Sequence, residues 1–205
     1  MTDIACRVSN AGWRLLAAFV VMACAGCFSS APPPATAWTV DAAPVSSLPF
    51  AEPKPLFAAT RLGGVSVLPP YDQSAFAVRR TDGSVAFDPA NRFAAQPAAL
   101  LKGPLMAGLS ADGRFGRVVP QTSVVNSDAI VEVVVPELSL DCRDAGSRKA
   151  RASVTVNVVK GGRSQRDIAL SGSGAGEADA SDGNYSAAFS AAVNAAVANA
   201  LSGLK

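Results

Sequence analysis

Hydrophobic and polar positions alternate most clearly from Ala129 to Cys142. Ile130, Val134, Leu138, Leu140 and Cys142 share one parity, broken by Glu132 and Pro136, while Val131, Val133 and Val135 fill the other. A strand apolar on both faces over its first half is expected at the centre of a sheet, covered on both sides, with a more polar second half reaching past the cover. After the turn Asp144-Ala145-Gly146-Ser147, Ala152, Val154, Val156 and Val158 alternate with Arg151, Ser153, Thr155 and Asn157. That period of two is a half-buried strand with one wet face. A turn at Lys160-Gly161-Gly162-Arg163 leads to a third strand of the meander over Asp167–Leu170, and Ser171 to Asn184 reads as a loop rich in Gly, Ser and acids.

Upstream, Gly64 to Leu68 reads as a strand stopped by Pro69-Pro70, followed by a turn at Tyr71-Asp72-Gln73. Ala75–Arg80 and Ser84–Phe87 flank Thr81-Asp82-Gly83, and Asp-Gly between two such runs predicts a hairpin. Asn91 to Pro97 then turns the chain. Arg117–Pro120 is a short strand.

Two stretches hold helical spacing. Pro97 suits a first helical position, and Leu101, Leu105 and Leu109 recur on one face. Pro104 lacks the backbone donor and clashes with the preceding turn, which predicts a kink or a helix starting at Pro104, ended at Asp112 with Gly113 as the cap. The second helix spans Tyr185 to Leu204, with Phe189, Val193, Val197, Ala200 and Leu204 on one face and Asn184 or Asp182 as N-cap. It is expected to cover the sheet face opposite the first helix, or to lie beside it. The fold class that results is α/β, a mixed and largely antiparallel sheet flanked by helices.

The first residues set the compartment. Arg7 and Arg14 precede an uncharged apolar run, Leu15 to Cys24, which ends in Ala25-Gly26 before Cys27. A positive region, a short apolar region and small residues describe a secretory signal peptide, and the run is shorter than the ~20 residues a spanning helix needs. Cys24-Ala25-Gly26-Cys27 resembles the lipobox of bacterial lipoproteins, in which the cysteine thiol carries the lipid (diacylglycerol, with palmitate the common acyl chain). Cys27 is the expected lipidated residue. Val21-Met22-Ala23-Cys24 is a poorer box because Met22 is bulky where a small residue is required. Residue 28 is Phe rather than Asp, and the resemblance implies the periplasmic face of the outer membrane.

This organisation predicts a signal peptide over 1–26, a lipidated Cys27 with a Pro/Ala-rich tether over 27–60, and a folded domain over 61–205. The tether carries Pro32-Pro33-Pro34, Pro44, Pro49, Pro53 and Pro55, a composition that stays extended. At ~3.5 Å per residue its roughly thirty residues reach about 100 Å when fully stretched. One island, Ala37-Trp38-Thr39-Val40-Asp41, alternates like a strand and is expected to dock as an edge strand.

Composition narrows the function. The 205 residues carry a net charge of +2 and no histidine. Lysine and arginine are scattered, which argues against nucleic acid as a partner. The lack of histidine removes the commonest general base and transition-metal ligand. With Cys6 and Cys24 in the leader and Cys27 acylated, Cys142 has no intramolecular partner and reads as a small buried hydrophobe. Gly172-Ser173-Gly174-Ala175-Gly176 superficially suggests a phosphate cradle, but Glu177, Asp179 and Asp182 follow it and would repel phosphate. Those acids lack the spacing of a calcium loop. No nucleophile elbow is present. Arg79-Arg80 and Arg148-Lys149-Arg151 read as solvated turn charges, with an acidic partner surface or lipid headgroups as the sharper alternative. No catalytic, metal or cofactor-binding residue is assigned, and the chain is read as a non-enzyme.

A lipobox, a Pro-rich tether, Gly64 to Pro70 with Tyr71-Asp72, Phe76 to Arg80, Asn91-Arg92-Phe93-Ala94-Ala95-Gln96-Pro97 before a Leu-rich helix, and Asp128 before an alternating strand together resemble the ABC-type transport auxiliary lipoproteins. The resemblance covers about Ala37 to Leu204. This chain departs from the family pattern at Phe93 (usually Trp), at Val78 (usually Tyr), at Pro104 within the helix, and in lacking an acid before Pro97. The resemblance implies a fold similar to the N-terminal domain of TolB. It also implies work beside an ATPase, a permease and a mammalian-cell-entry-domain (MCE-domain) protein, moving phospholipid or other apolar cargo across the envelope. The chain would be the outer-membrane end of that system, held by its lipid anchor, and the pattern suits a homo-oligomer. A competing reading is an outer-membrane lipoprotein that activates a cell-wall synthase; fold alone does not separate the two.

Overall fold

The structure is a computed structural model that describes residues 34–43, 54–144, 146–160 and 167–205. The expected signal peptide, Cys24, Cys27 and most of the turn after Lys160 lie outside the described residues. The folded unit begins at Ala35, upstream of the expected start at Arg61. Its strands are β1 (Thr36–Trp38), β2 (Phe57–Val67), β3 (Ala75–Arg79), β4 (Val85–Phe93), β5 (Phe115–Val119), β6 (Ala129–Asp141), β7 (Lys149–Lys160) and β8 (Asp167–Asp179). Its helices are α1 (Pro97–Leu100), α2 (Lys102–Ala111) and α3 (Tyr185–Ser202).

β6 is the central strand, and the sheet forks along it. One edge pairs with β7 over its full length, from Ala129↔Lys160 to Asp141↔Lys149. The other edge is shared in succession: β2 pairs with Ala129 to Val135, and β3 then pairs with Leu140 and Asp141. The change of partner falls at Pro136, between the paired residues Val134 and Glu137, where the register also shifts against β7. Proline offers no ladder donor, and a bulge inverts which residues face which side. Leu138 and Leu140 therefore share the covered face with Val131, Val133 and Val135 (each at most 3% exposed) rather than with Ile130 and Val134, as strict alternation predicts. The second half of the strand is also not a polar extension. Ser139 and Asp141 are buried too.

The sheet is mixed. Four pairings are parallel (β1–β4, β2–β5, β2–β6, β3–β6), and the antiparallel share is the hairpin β3–β4 and the long meander β6–β7–β8. The hairpin turns at Gly83, whose φ of 82° suits a residue without Cβ. β4 runs on to Phe93, past the expected turn at Asn91. Asp88 Oδ1 accepts from the backbone N–H groups of Ala90 and Asn91, folding the extra residues into a bulge.

The first helix is interrupted at Leu101, not at Pro104. Pro104 has no N–H to give the Leu100 carbonyl, and α1 ends one residue before Leu101 so that Pro104 falls in the first turn of α2. Leu101, Leu105 and Leu109 are buried as the spacing predicts. Asp112 ends α2 in an extended conformation, without the glycine cap expected at Gly113. α2 and α3 lie side by side on one face of the sheet. Gly108 admits the close approach: a Cβ there would stand 2.6 Å from Val197 Cγ1.

The predicted loop after Leu170 is strand. Gly172, Gly174 and Gly176 alternate on the covered face of β8, and a Cβ at any of them would collide with the α3 backbone near Ala192, Ala196 and Ala200. Ser171, Ser173, Ala175, Glu177 and Asp179 take the other face. The glycine run is thus the floor on which an alanine-rich helix rests, backbone against backbone. At the other end of α3, Phe76, Phe93 and Phe189 cluster with centroids 4.6 to 5.0 Å apart, and Tyr185 stands edge-on to Phe76 and Trp38, a geometry that favours aromatic pairs.

Candidate functional site

Two features stand out on the surface of this scaffold. The first is a clasp between the segment after β1 and the outer side of α3. An extended chain advances about 6.8 Å every two residues and a helix about 6 Å every four. Alternate residues of one can therefore meet every fourth residue of the other. Thr39 Oγ1 lies 3.2 Å from Ser186 Oγ, and Ser186 Oγ donates to the Thr39 carbonyl. The Asp41 N–H donates to Ser190 Oγ at 2.8 Å. Asn194 accepts from the Ala43 N–H and donates to the Asp41 carbonyl, at 3.1 and 3.0 Å. Between them Val40 turns inward and is buried, and Trp38 Nε1 donates to Asn91 Oδ1 at 2.9 Å. The edge strand expected at Ala37–Asp41 is present in part, as β1 over Thr36–Trp38 in parallel register with β4, while Thr39 to Asp41 leave the sheet for α3.

The second feature is an ionic lattice on the sheet face turned away from the helices. Arg79 pairs with Glu137 at 2.8 Å, which also accepts from Ser139 Oγ. Asp141 pairs with Arg143 at 2.7 Å and with Arg151 at 2.9 Å. Arg151 continues to Glu177 at 3.1 Å, where Lys149 also pairs. The Arg151 Nε–H is not aligned on the Asp141 oxygen, so that link is Coulombic. Asp141 is 7% exposed. The Arg143 guanidinium, against the opposing effect of burial, holds its carboxyl down to about 2. Lys149 and Arg151 lower the Glu177 carboxyl in the same way. Along the same face, Thr155 meets Ser173 at 3.0 Å and Ser171 donates to Asn157 at 2.7 Å.

Arg79, Lys149 and Arg151 are therefore lattice members rather than solvated turn charges, and Arg148 donates to the Tyr185 hydroxyl. Only the pairing across β3, β6, β7 and β8 brings them together, and no local spacing announces it. Ser186, Ser190 and Asn194 were legible as polar positions four apart on an alanine-rich helix, although their partner was not.

The other candidates disperse. Cys142 sits half-buried at the edge of the core, and burial pushes its thiol up, which disfavours the nucleophilic thiolate. It lines a shallow cleft of 380 Å³ with Asp144, Ser147 and Arg148. Asp179 accepts from Ser181, and Asp182 from the Asn184 N–H; these acids build a turn. Among the described residues no three His, Cys, Asp or Glu side chains are grouped to hold a metal, and no helix is long and apolar enough to cross a membrane.

A solved structure shares this architecture. Protein XCC0632 from Xanthomonas campestris, described by the family model DUF330, superposes with a TM-score of 0.67 at 15% identity, covering 82% of this chain and 93% of its own. The two share a fold. PelC from Paraburkholderia phytofirmans, solved as a dodecamer, aligns at a TM-score of 0.42 and 10% identity over 81% of this chain and 93% of its own. No protein-family model matches the sequence, and no curated protein matches it.

Proposed function

We propose that this chain is a lipid-anchored periplasmic accessory protein of an ABC-type transport system, acylated at Cys27 and docking an MCE-domain protein at the outer membrane. The observation that carries the reading is the lipobox-like sequence ending at Cys27, with only seven residues between it and the folded unit at Ala35. The domain behind it offers two surfaces among the described residues, a polar sheet face and a clasped helix. On this reading its work is attachment, and no reaction is assigned to it. A broad, charge-balanced face of paired arginines and carboxylates suits a protein partner, because electrostatic complementarity sets orientation and encounter rate more than affinity. The cargo would be phospholipid or another apolar molecule carried by the permease and ATPase.

The clasp weakens the competing reading as a cell-wall synthase activator. With Thr36 to Trp38 paired on β4 and Thr39 to Ala43 held on α3, the chain from Phe28 to Pro34 spans at most ~25 Å. That is a short reach for a protein that must thread the cell wall. The test is affinity purification of the full-length protein from detergent-solubilised membranes. The expected result is recovery of an MCE-domain protein. Recovery of a cell-wall synthase without transporter components would overturn the proposal.

A further inference from the structure

The direction of the chain through the clasp says which end of the domain meets the bilayer. Arg79, Asp141, Lys149 and Asp179 are register partners in one row across β3, β6, β7 and β8. Beyond that row lie the turns Arg80–Ser84, Asp144–Arg148 and Ala180–Asn184, joined by backbone bonds such as Arg80 N–H to Ser84 O and Ala180 N–H to Arg148 O. Call this the turn end. The opposite end holds the start of β6 at Ala129, the start of β8 at Asp167, and the exposed Val124. About 40 Å separates them, the length of a thirteen-residue strand at ~3.3 Å per residue.

Two independent features show the N-terminal chain entering from the turn end. β1 is parallel to β4, and β4 starts at the turn end, where Val85 pairs with Arg79. Followed backward from Thr36, the chain therefore runs toward the turns. The clasp agrees: Thr39 meets Ser186 in the first turn of α3, next to the Ala180–Asn184 turn, and Ala43 meets Asn194 farther along.

We infer that the turn end is the surface that faces the lipid bilayer, with the pairing of β1 on β4 and the clasp behind it fixing that orientation. This rests on acylation at Cys27. A seven-residue leash of at most ~25 Å that leaves β1 in the direction of the turn end falls short of the opposite end unless β1 leaves β4 and the clasp opens. Val85 and Phe87 are exposed beside the hairpin turn (37% and 41%), and Leu56, Val124 and Ile168 at the opposite end (63%, 97% and 65%), so the chain direction and not apolar exposure distinguishes the two ends. Releasing β1 and the clasp together would add the chain up to β2 at Phe57 to the leash, about 100 Å of contour, and that orientation would be lost.

The test uses the full-length protein in vesicles of outer-membrane lipid, in a Cys142→Ala background. A fluorophore is placed at Thr81→Cys, on the turn end, or at Val124→Cys, on the opposite end, and the lipid headgroups carry a short-range quencher. Acylation is read separately by palmitate labelling. The expected result is acylated protein with strong quenching at 81 and none at 124. The difference should disappear when Ser186, Ser190 and Asn194 are all replaced by alanine together with Trp38→Ala, which removes the ring and Nε1–H that hold β1. Acylated protein quenched equally at both positions, or more at 124, would overturn the orientation while leaving the anchor intact. Protein without acyl label, or with the label lost only on Cys24→Ser, would overturn the anchoring at Cys27 and the orientation together.

Discussion

Gly174→Ala isolates the contact on which the two layers of this domain depend. A Cβ at residue 174 would collide with the Ala200 nitrogen and the Ala196 carbonyl oxygen, and would stand 2.8 Å from the Asn199 carbonyl carbon. All three are backbone atoms of α3, so no side chain can rotate away. The helix must lift from β8, and Ala192, Ala196 and Ala200, all fully buried, would lose dispersion contacts along the seam. Overpacking of this kind costs about 1–3 kcal/mol, and a rigid backbone obstacle belongs at the top of that range. Alanine also restricts the unfolded chain, which offsets ~0.4–1 kcal/mol. The net expectation is a loss of about 2 kcal/mol. At ~2–4 °C per kcal/mol for a domain of this size, the melting midpoint should fall by roughly 4–8 °C. Gly64→Ala is the matched control, because its Cβ would meet nothing within 4 Å; it should be neutral or stabilise by up to ~1 kcal/mol. Urea denaturation followed by circular dichroism measures both. If the Gly174 and Gly64 variants shared one midpoint, the glycine floor would not be what seats the helix.

The remaining expectations concern charge and capping. Asp141 titrates near 2 in the folded protein against an ordinary 3.8, so the folded state favours its ionised form. Its contribution of about 2 kcal/mol is present above pH ~4 and lost as pH falls toward ~2. Asp141→Asn should lower the urea midpoint at neutral pH and flatten its pH dependence over that window; an unchanged slope would refute the role of the Arg143 pairing. Asn184 Oδ1 accepts from the Ala187 N–H at the start of α3, so Asn184→Ala should cost ~1 kcal/mol in the same assay, and a variant as stable as the parent would show that the cap contributes nothing.

Much of the fold was legible in the residues. The hairpin at Asp82-Gly83, the wet-faced strand β7, the leucine face of α2 and the Asn184 cap each rest on interactions within a few residues. Local pattern reports such interactions directly. The island at Trp38 was legible for the same reason, since alternation between prolines has few other uses. Three readings failed where a partner far along the chain decides. Pro136 changes the face of the strand only because β2 and β3 divide one edge of β6 between them. Gly172 to Gly176 resembles a flexible loop until a helix backbone lies on it. Leu101 breaks the helix because Pro104 must fall in a first turn.

The surface followed the same division. By itself the sequence determined the absence of histidine and the position of most strands, and it carries the expectation of a leader and of lipidation at Cys27, all from neighbours along the chain. Only the tertiary structure decided that Asp141, Arg151, Glu177 and Lys149 form one chain of ion pairs beside the Arg79–Glu137 pair, and that Ser186, Ser190 and Asn194 hold the segment from Thr39 to Ala43. Ion pairs and clasps are made by atoms within about 3 Å of one another, and residues separated by most of the chain reach that distance only after the sheet has paired and the helix has settled on its glycines.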